Sequence, residues 1–489
     1  MSAVAAIARS ALLLAWAPFL AACVGARPPA SNLTDSPAQY SAGGAMHSES
    51  TADDSTQRLK LGASPVPDWW RLYQCDALDA LVEEGLAHSP SLAAAQATLK
   101  ATHEQLRSQI GQNLFPNIDV GFAPSRQRAL GLPVLSQPTF LYNVFALEAQ
   151  ASYKFDFFGA SINADRALAH QVEQQSFQFD ATRRALATNI VIATINAAVL
   201  QETVAANEAL VALAEEYAQQ LAAREKLGSV SHDEALAAEL SAANLAATLP
   251  ALRAQLLAVR HAQAVLLGRT PDQAPSPLSL EALHVPEDVP VSVPSDLLHQ
   301  RPDILAAEAG MRAAANEAGA AAALLYPSFA LSAAYGRGGF DWSTFTSPAG
   351  AIWSVGATVT QPLFHGGALR AQKRQYAQLY EASQSAYRQT VLAAFENVAD
   401  TLASLEADAD ALDQSGRAAE AALQTQRDTQ ARYHLGALPW VAALSASQQY
   451  ESALASLARA RGARLADTAS LFQSMGEIPV TRKHGLFLD

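Results

Sequence analysis

The sequence predicts a mainly α protein in two structural repeats, each joining membrane-length β-strands to very long coiled-coil helices. Three observations carry this. From Asn143 to Phe157 the chain alternates: Phe145, Leu147, Ala149, Ala151, Tyr153, Phe155 and Phe157 are apolar, with Glu148, Gln150, Ser152, Lys154 and Asp156 between them. Only a strand turns a period of two into one apolar and one polar face, and the length matches the ~9–11 residues a tilted strand needs to cross a bilayer. From Ser161 the pattern becomes helical for more than sixty residues, roughly 100 Å of helix. Landmarks then recur at nearly constant spacing, the mark of a duplicated unit.

Met1 to Ala22 has the single charge Arg9 before an apolar run too short to span a membrane, which is the form of a secretory signal peptide. Leu20-Ala21-Ala22-Cys23 resembles the bacterial lipobox, so Cys23 is expected to carry the lipid, a palmitate-class acyl group, as the mature N-terminus. Cys75 is the only other cysteine, and no disulfide framework is possible in the mature chain. Residues 23–66 read as a lipidated tether, with Ala30 to Gln57 rich in Ser, Ala, Gly and Thr. A net charge of −13 gives no electrostatic footprint for nucleic acid. No ordinary transmembrane helix is legible: the uncharged run from Ala318 is interrupted by Pro327, after which Phe329, Leu331, Ala333 and Tyr335 alternate as a second membrane-type strand.

The first repeat is read over 67–270 and the second over 296–476, with a proline-rich surface linker at 271–295 and a tail at 477–489. Ser89-Pro90 answers Arg301-Pro302, Phe115-Pro116 answers Tyr326-Pro327, Leu227-Gly228 answers Leu435-Gly436, and Leu267-Gly268 answers Met475-Gly476. Each repeat reads as helix, strand, turn, strand, long helix, tight turn, helix. Gly159 in one half and Gly366-Gly367 in the other mark the bend from strand to helix. Beyond each bend the period becomes seven: Leu186, Ile190, Ala193, Ala197, Leu200 and Val204 in one half, and Val398, Leu402, Leu405, Ala409 and Leu412 in the other, form coiled-coil seams.

No catalytic constellation emerges, and no cofactor or metal is expected. The eleven histidines lack a metal-ligand spacing. Gly336-Arg337-Gly338-Gly339 follows a membrane-type strand and opens no helix, so it reads as a barrel hairpin rather than a phosphate loop. Four strands per chain leave two open edges, which lipid does not tolerate, so the chain must oligomerise. Eight strands would fill their own interior, making three copies the smallest assembly with a channel.

Lys154-Phe155-Asp156-Phe157-Phe158-Gly159, Arg301-Pro302-Asp303-Ile304, Gln361-Pro362-Leu363-Phe364-His365-Gly366-Gly367 and Arg432-Tyr433-His434-Leu435-Gly436 together resemble the TolC/OprM/NodT-type outer-membrane efflux proteins. The resemblance implies a homotrimer with a twelve-stranded β-barrel in the outer membrane and a periplasmic α-barrel. It implies a periplasmic adaptor and an inner-membrane pump as partners, and drugs or other small molecules as cargo. The alternative is a periplasmic coiled-coil scaffold tethered by lipid at Cys23, which leaves the membrane-length strand unexplained; a secreted enzyme is a third, more distant reading. Relatives close the periplasmic end with acidic rings. Here the second-half positions are Ala442 and Ser445, and the acidic pair is Asp233 and Glu234. These two, with Tyr433, are the gate candidates, although Ser231 and Glu234 also have the spacing of a capping box.

Overall fold

The computed structural model describes residues 40, 57–62, 66–130 and 139–476. The expected signal peptide, Cys23 and the 477–489 tail lie outside these residues. The chain gathers into two compact units, one of Thr98–Gln175 with Ala307–Arg388, the other of Ser176–Ala306, Gln389–Asp489 and the segment before Ala97, each within its described residues. The units cut across the two repeats, because equivalent elements from both halves pair with each other.

The first unit is organised by its sheet. Strands β2 (Asn117–Phe122) and β3 (Ser125–Leu130) lie on one edge of β4 (Thr139–Phe155); β4 pairs with β6 (Ser328–Gly339), and β6 with β7 (Ala351–Thr360), all antiparallel. Asn117↔Ser152 and Ser125↔Val144 share one register, so β2 and β3 are a single strand interrupted at Ala123-Pro124, where proline has no N–H to donate. The sheet is therefore four-stranded, antiparallel throughout and with its strands in chain order. Gly336-Arg337-Gly338-Gly339 ends β6, and a Cβ on Gly336 would lie 2.1 Å from the Leu147 carbonyl oxygen. Beside the sheet, Leu106, Leu168 and Val172 form a small helical core.

Helices α1 (Asp76–His88), α2 (Pro90–Leu114), α3 (Ala160–Lys226), α4 (His232–Ala246) and α5 (Leu249–Leu266) belong to the first repeat. In the second are α6 (Pro294–Gln300), α7 (Pro302–Ala323), a short α8 (Trp342–Thr346), α9 (Ala368–His434) and α10 (Trp440–Met475). α3 and α9 are each 67 residues long. Every seam residue of α3 named above is buried or half-buried, as is every one in α9. Pro250 in the first turn of α5 splits the first-repeat partner of the unbroken α10, since a proline cannot continue the preceding hydrogen-bond ladder.

Within the second unit the core gathers Trp69, Tyr73, Leu78, Ile190, Ile195, Leu465 and Phe472. Trp69 stacks on Phe472 with ring centroids 5.2 Å apart, and the Tyr73 hydroxyl donates to the Leu465 carbonyl at 2.8 Å. The duplicated landmarks dock in pairs here. Gly268, at φ +77°, lies where a Cβ would fall 2.5 Å from the His88 carbonyl oxygen, and Gly476, at φ +76°, where it would fall 2.7 Å from the Gln300 carbonyl carbon. Both a positive φ and the absence of a side chain are needed, which is why glycine recurs at the end of each repeat.

Three expectations change. The proline-rich segment is not a surface linker: Leu280, Leu283, Val289 and Val291 are at most 1% exposed, and β5 (Asp288–Val291) pairs in parallel with β1 (Arg58–Leu61). Its apolar residues stand between the prolines and are drawn into the core. That pairing also orders the end of the expected tether, where Gln57 is buried and donates to Thr468 Oγ1 at 3.1 Å. Finally, α3 and the stretch His232–Leu266 each contain a window of mean hydropathy 1.3, apolar enough by length and composition to cross a membrane. In α3, Ile190, Val191 and Ile195 spend that apolar character in the protein core, each 0% exposed.

Candidate functional site

The ladder registers decide which side chains share a face of the sheet. Ile118, Val120 and Phe122 of β2 stand opposite Ala151, Ala149 and Leu147; Ala151, Tyr153 and Phe155 of β4 stand opposite Ala333, Leu331 and Phe329 of β6; and these in turn face Val355, Ala357 and Val359 of β7. One apolar face thus runs across all four strands, interrupted only in the Leu147 row, where Arg337 stands. The other carries Asp119, Glu148, Gln150, Ser152, Lys154, Ser332, Ser354, Thr358 and Thr360. Ile118, Val120, Trp353 and Val355 are each about 70% exposed, so among the described residues of one chain the middle of the apolar face stands open.

Aromatic clusters bound this face at both ends. At the helix-proximal end Tyr153 packs on Phe155 at 4.9 Å and Phe157 on Phe329 at 4.9 Å; at the far end Phe145 meets Trp342 at 5.6 Å and Phe122 meets Phe345 at 6.1 Å. From Phe155 to Phe145 the strand climbs ~33 Å, or ~25 Å at a ~40° tilt, the height of the apolar band of an outer-membrane barrel.

The strand-to-helix bends follow directly. Gly159 takes φ +79°, and Gly366 and Gly367 take +59° and +83°. Asp156 caps the first bend, accepting from the Ala160 and Ile162 N–H groups, both at 2.7 Å. In the second half the Ala368 and Ala371 N–H groups donate to His365 and Gly367 carbonyls at 3.0 Å.

At the other end of the long helices the two tight turns are duplicates in their hydrogen bonds. Gly228 donates to Glu225 and Ser229 to Arg224; Gly436 donates to Tyr433 and Ala437 to Arg432, all at 2.8–3.0 Å. Each is a left-handed helix cap with glycine at φ +72°. Leu227 and Leu435 project from them, 83% and 84% exposed.

Of the gate candidates, Asp233 and Glu234 are exposed in the first turn of α4, where the Glu234 N–H donates to Ser231 Oγ at 3.2 Å. Tyr433 lies against Trp440, centroids 5.4 Å apart, and Trp440 stacks on Tyr217 at 4.2 Å. Burial first, then the neighbouring Tyr433 and Glu234, raise the Tyr217 hydroxyl pKa against the opposing pull of Arg224. Glu234, Arg224, Tyr217 and Tyr433 are thus electrostatic neighbours, with His232 Nδ1 and Glu225 Oε1 2.6 Å apart beside them. Tyr217 and Trp440 were not singled out from the sequence; Trp440, opening a helix directly after the Gly436-Ala437-Leu438-Pro439 turn, was the available signal.

Two further clusters have contacts that the sequence reading did not give. Arg301 is 8% exposed, pairs with Asp303 through Nε and Nη2 at 3.0 and 2.6 Å, and donates to the Ser474 carbonyl at 2.9 Å. Burial works to raise the Asp303 carboxyl, but the Arg301 contacts and the Ile304 N–H outweigh it and hold the group below its usual range. On α9 and α10, Asp408 and Asp467 interact with each other. Burial and then the second carboxylate push Asp408 up to about 7, despite the nearby Arg464 cation.

The profile described as "Outer membrane efflux protein" matches residues 293–477. The pyoverdine export outer membrane protein OpmQ of Pseudomonas putida is 30% identical over 355 residues, 70% of this chain and 73% of that protein. OpmQ of Pseudomonas aeruginosa is 26% identical, with 85% and 88% covered. Among solved structures, the Vibrio cholerae outer membrane protein VceC superposes with a TM-score of 0.72 at 25% identity, covering 85% of this chain and all of VceC. The Campylobacter jejuni CmeC outer membrane channel shares the fold with a TM-score of 0.82 at 18% identity, covering 94% and 96%. With a four-strand sheet of membrane dimensions, duplicated long helices and relatives of this extent, the chain belongs to the outer membrane efflux protein family and is an outer-membrane channel component of an efflux system.

Proposed function

We propose that three copies join their sheets edge to edge into one twelve-stranded barrel, continued by the long helices as a periplasmic α-barrel, and that this conduit passes small molecules outward. The observation that carries the reading is the sheet with two free edges and one apolar face continuous over four strands. In hydrocarbon each unpaired backbone group costs several kcal/mol, so both edges demand strands from other copies. Two copies would enclose only side chains; three leave a water-filled lumen. The apolar face then meets lipid, and Asp119, Glu148, Gln150 and Lys154 line the passage.

A passive conduit needs an energised supplier, so an inner-membrane pump and a periplasmic adaptor are the expected partners. The relatives' names speak of pyoverdine export and of toluene and antibiotic efflux; here the cargo class is small molecules, selected by the pump. Asp233 and Glu234 from three copies supply charge at the periplasmic entrance, while Tyr433, packed on a Trp440 that in turn stacks on Tyr217, holds the closed turn. Cys23 carries the lipid that tethers the chain to the membrane. A lipid-tethered scaffold has no use for a continuous apolar face of membrane height.

Electrophoresis of detergent-extracted protein with and without heating tests the assembly: a barrel trimer runs as a high-mass band that collapses to one chain on boiling. A single-chain band in both lanes refutes it. In-cell crosslinking from the tips at Leu227 and Leu435, followed by mass spectrometry, identifies the adaptor.

A further inference from the structure

One aromatic pair in the sheet has a counterpart that the single chain leaves apart. At the foot of the β4–β6 ladder Phe158 and Tyr326 stack, centroids 4.9 Å apart and planes 14° from parallel, continuing the register of Phe155↔Phe329. The duplication supplies the same pair again. Phe115-Pro116 leads into β2 as Tyr326-Pro327 leads into β6, and Leu363-Phe364 follows β7 as Phe157-Phe158 follows β4. Yet Phe364 is 87% exposed and Phe115 60% exposed, beside strands at opposite edges of the sheet.

We propose that Phe364 of one copy stacks on Phe115 of the next, and that this aromatic clasp sets the register in which β7 pairs with β2 of the neighbouring copy. The inference rests on the assembly proposed above. Continuing the ladder from the clasp sets Thr360 opposite Asp119, Val359 opposite Val120 and Ala357 opposite Phe122. In these rows apolar residues meet apolar and polar meet polar, as a half-buried register requires; farther along the same ladder Trp353 comes opposite Arg126.

Two neighbouring registers, with Thr358 or Thr360 opposite Asp119 or Gly121 respectively, also keep the faces but break the clasp. Barrel closure separates the three. Crossing the ladders from Asn117 through Ser152, Ser332 and Gly356 leads, under the clasp register, to Ala123 of the next copy, about six residues along the strand. That is a climb of ~20 Å against ~19 Å across four strand spacings, a tilt of ~46°. The alternatives give climbs of about four or eight residues and tilts of ~35° or ~54°. Membrane barrels tilt by ~35–45°, which disfavours the steepest; of the other two, only the clasp register brings the exposed aromatics together.

Three double-cysteine variants of the full chain, all on the polar face, test the register: D119C/T360C, D119C/T358C and G121C/T360C. A Cβ at Gly121 meets nothing within 4 Å, and the buried Cys75 thiol is common to all three. Membranes are oxidised with copper phenanthroline, boiled and run without reductant. Directly opposed residues lie within disulfide reach and diagonal ones at its limit. D119C/T360C should therefore give covalent dimer and trimer bands about tenfold faster than the other two. Faster crosslinking of either alternative overturns the register. Independently, Phe364→Ala should lower the temperature at which the trimer dissociates and Phe364→Tyr should restore it; a Phe364→Ala trimer as heat-resistant as the parent overturns the clasp. A heat-resistant trimer with the wrong crosslink sinks only this inference, whereas no trimer in any unheated sample sinks the assembly as well.

Discussion

Val355 is the position at which the membrane reading is most exposed to refutation. Its row, Ala151–Ala333–Val355, lies four residues from the Phe155 row and six from the Phe145 row, near the middle of the apolar band between the two aromatic clusters. An arginine there faces hydrocarbon with no neighbour to pair with and no short route for its side chain to either interface. The cost at such a depth is ~2–4 kcal/mol per chain, and a trimer incurs it three times. Ser354→Arg, one residue away, points to the opposite face and should cost little. Leu147→Arg is the informative intermediate: Leu147 stands opposite Arg337, which already resides on this face and donates from Nη1 to the Thr346 carbonyl at 2.6 Å. That row lies close to the outer aromatic cluster, where the penalty falls to ~0–1 kcal/mol. Outer-membrane fractionation with unheated gels measures the trimer yield of each variant. The expected order is Val355→Arg far below Leu147→Arg, and that variant close to Ser354→Arg. Equal yields for Val355→Arg and Ser354→Arg would refute the assignment of faces, and Leu147→Arg as damaging as Val355→Arg would refute the placement of the midplane.

Burial, and then the neighbouring Asp467 carboxylate, push the Asp408 carboxyl up to about 7 from the 3.8 of a free group. A raised carboxylate pKa contributes stability below the unfolded value that is lost as pH rises through the folded one, so the dissociation temperature should fall between pH 4 and pH 7, and Asp408→Asn should flatten that dependence. Arg301→Ala should cost about 2–3 kcal/mol, below the ~3–5 of a fully buried pair because the Asp303 side chain stays 42% exposed; chemical denaturation of the extracted protein measures it. Asp233→Asn with Glu234→Gln should move cation selectivity in planar bilayers towards unity, since the Ser231 cap uses the Glu234 backbone and survives. Unchanged selectivity with a lowered melting temperature would leave those carboxylates only a helix-terminal role. Cys23→Ser with a cleavable signal should abolish fatty-acid labelling while trimers persist; continued labelling places the lipid elsewhere.

What was legible in the sequence was whatever local periodicity encodes. The alternation of Phe145 to Phe157, the heptads after Gly159 and Gly367, and the paired glycine turns at Gly228 and Gly436 each depend on residues a few positions apart. The register of β4 with β6 depends on partners more than 170 positions away, and no local signal carries it. Arg301 illustrates the same limit: Arg301-Pro302 was legible as a repeat landmark, and Pro302 does open a helix, but the grip of Arg301 on Ser474 exists only after the chain returns. The proline-rich stretch misled because proline content reports backbone solvation, whereas Leu280, Leu283, Val289 and Val291 decided its burial. At the turns, Trp440 and Tyr217 became partners of Tyr433 only through helix packing.

The pairing of β4 with β6 governs how the protein comes into being. As the chain leaves the inner membrane from its N-terminus, β4 is complete at Phe155, but the strand that satisfies its second edge does not begin until Ser328. Closing a loop of that length carries only a logarithmic entropy penalty; the burden is time, during which an amphipathic strand with an open edge is available to any wrong partner. The first repeat on its own is thus an aggregation-prone intermediate rather than a folded half, and the periplasm must shelter it until the second repeat arrives. Expressing residues 67–270 alone should give material that survives only while bound to a holding chaperone.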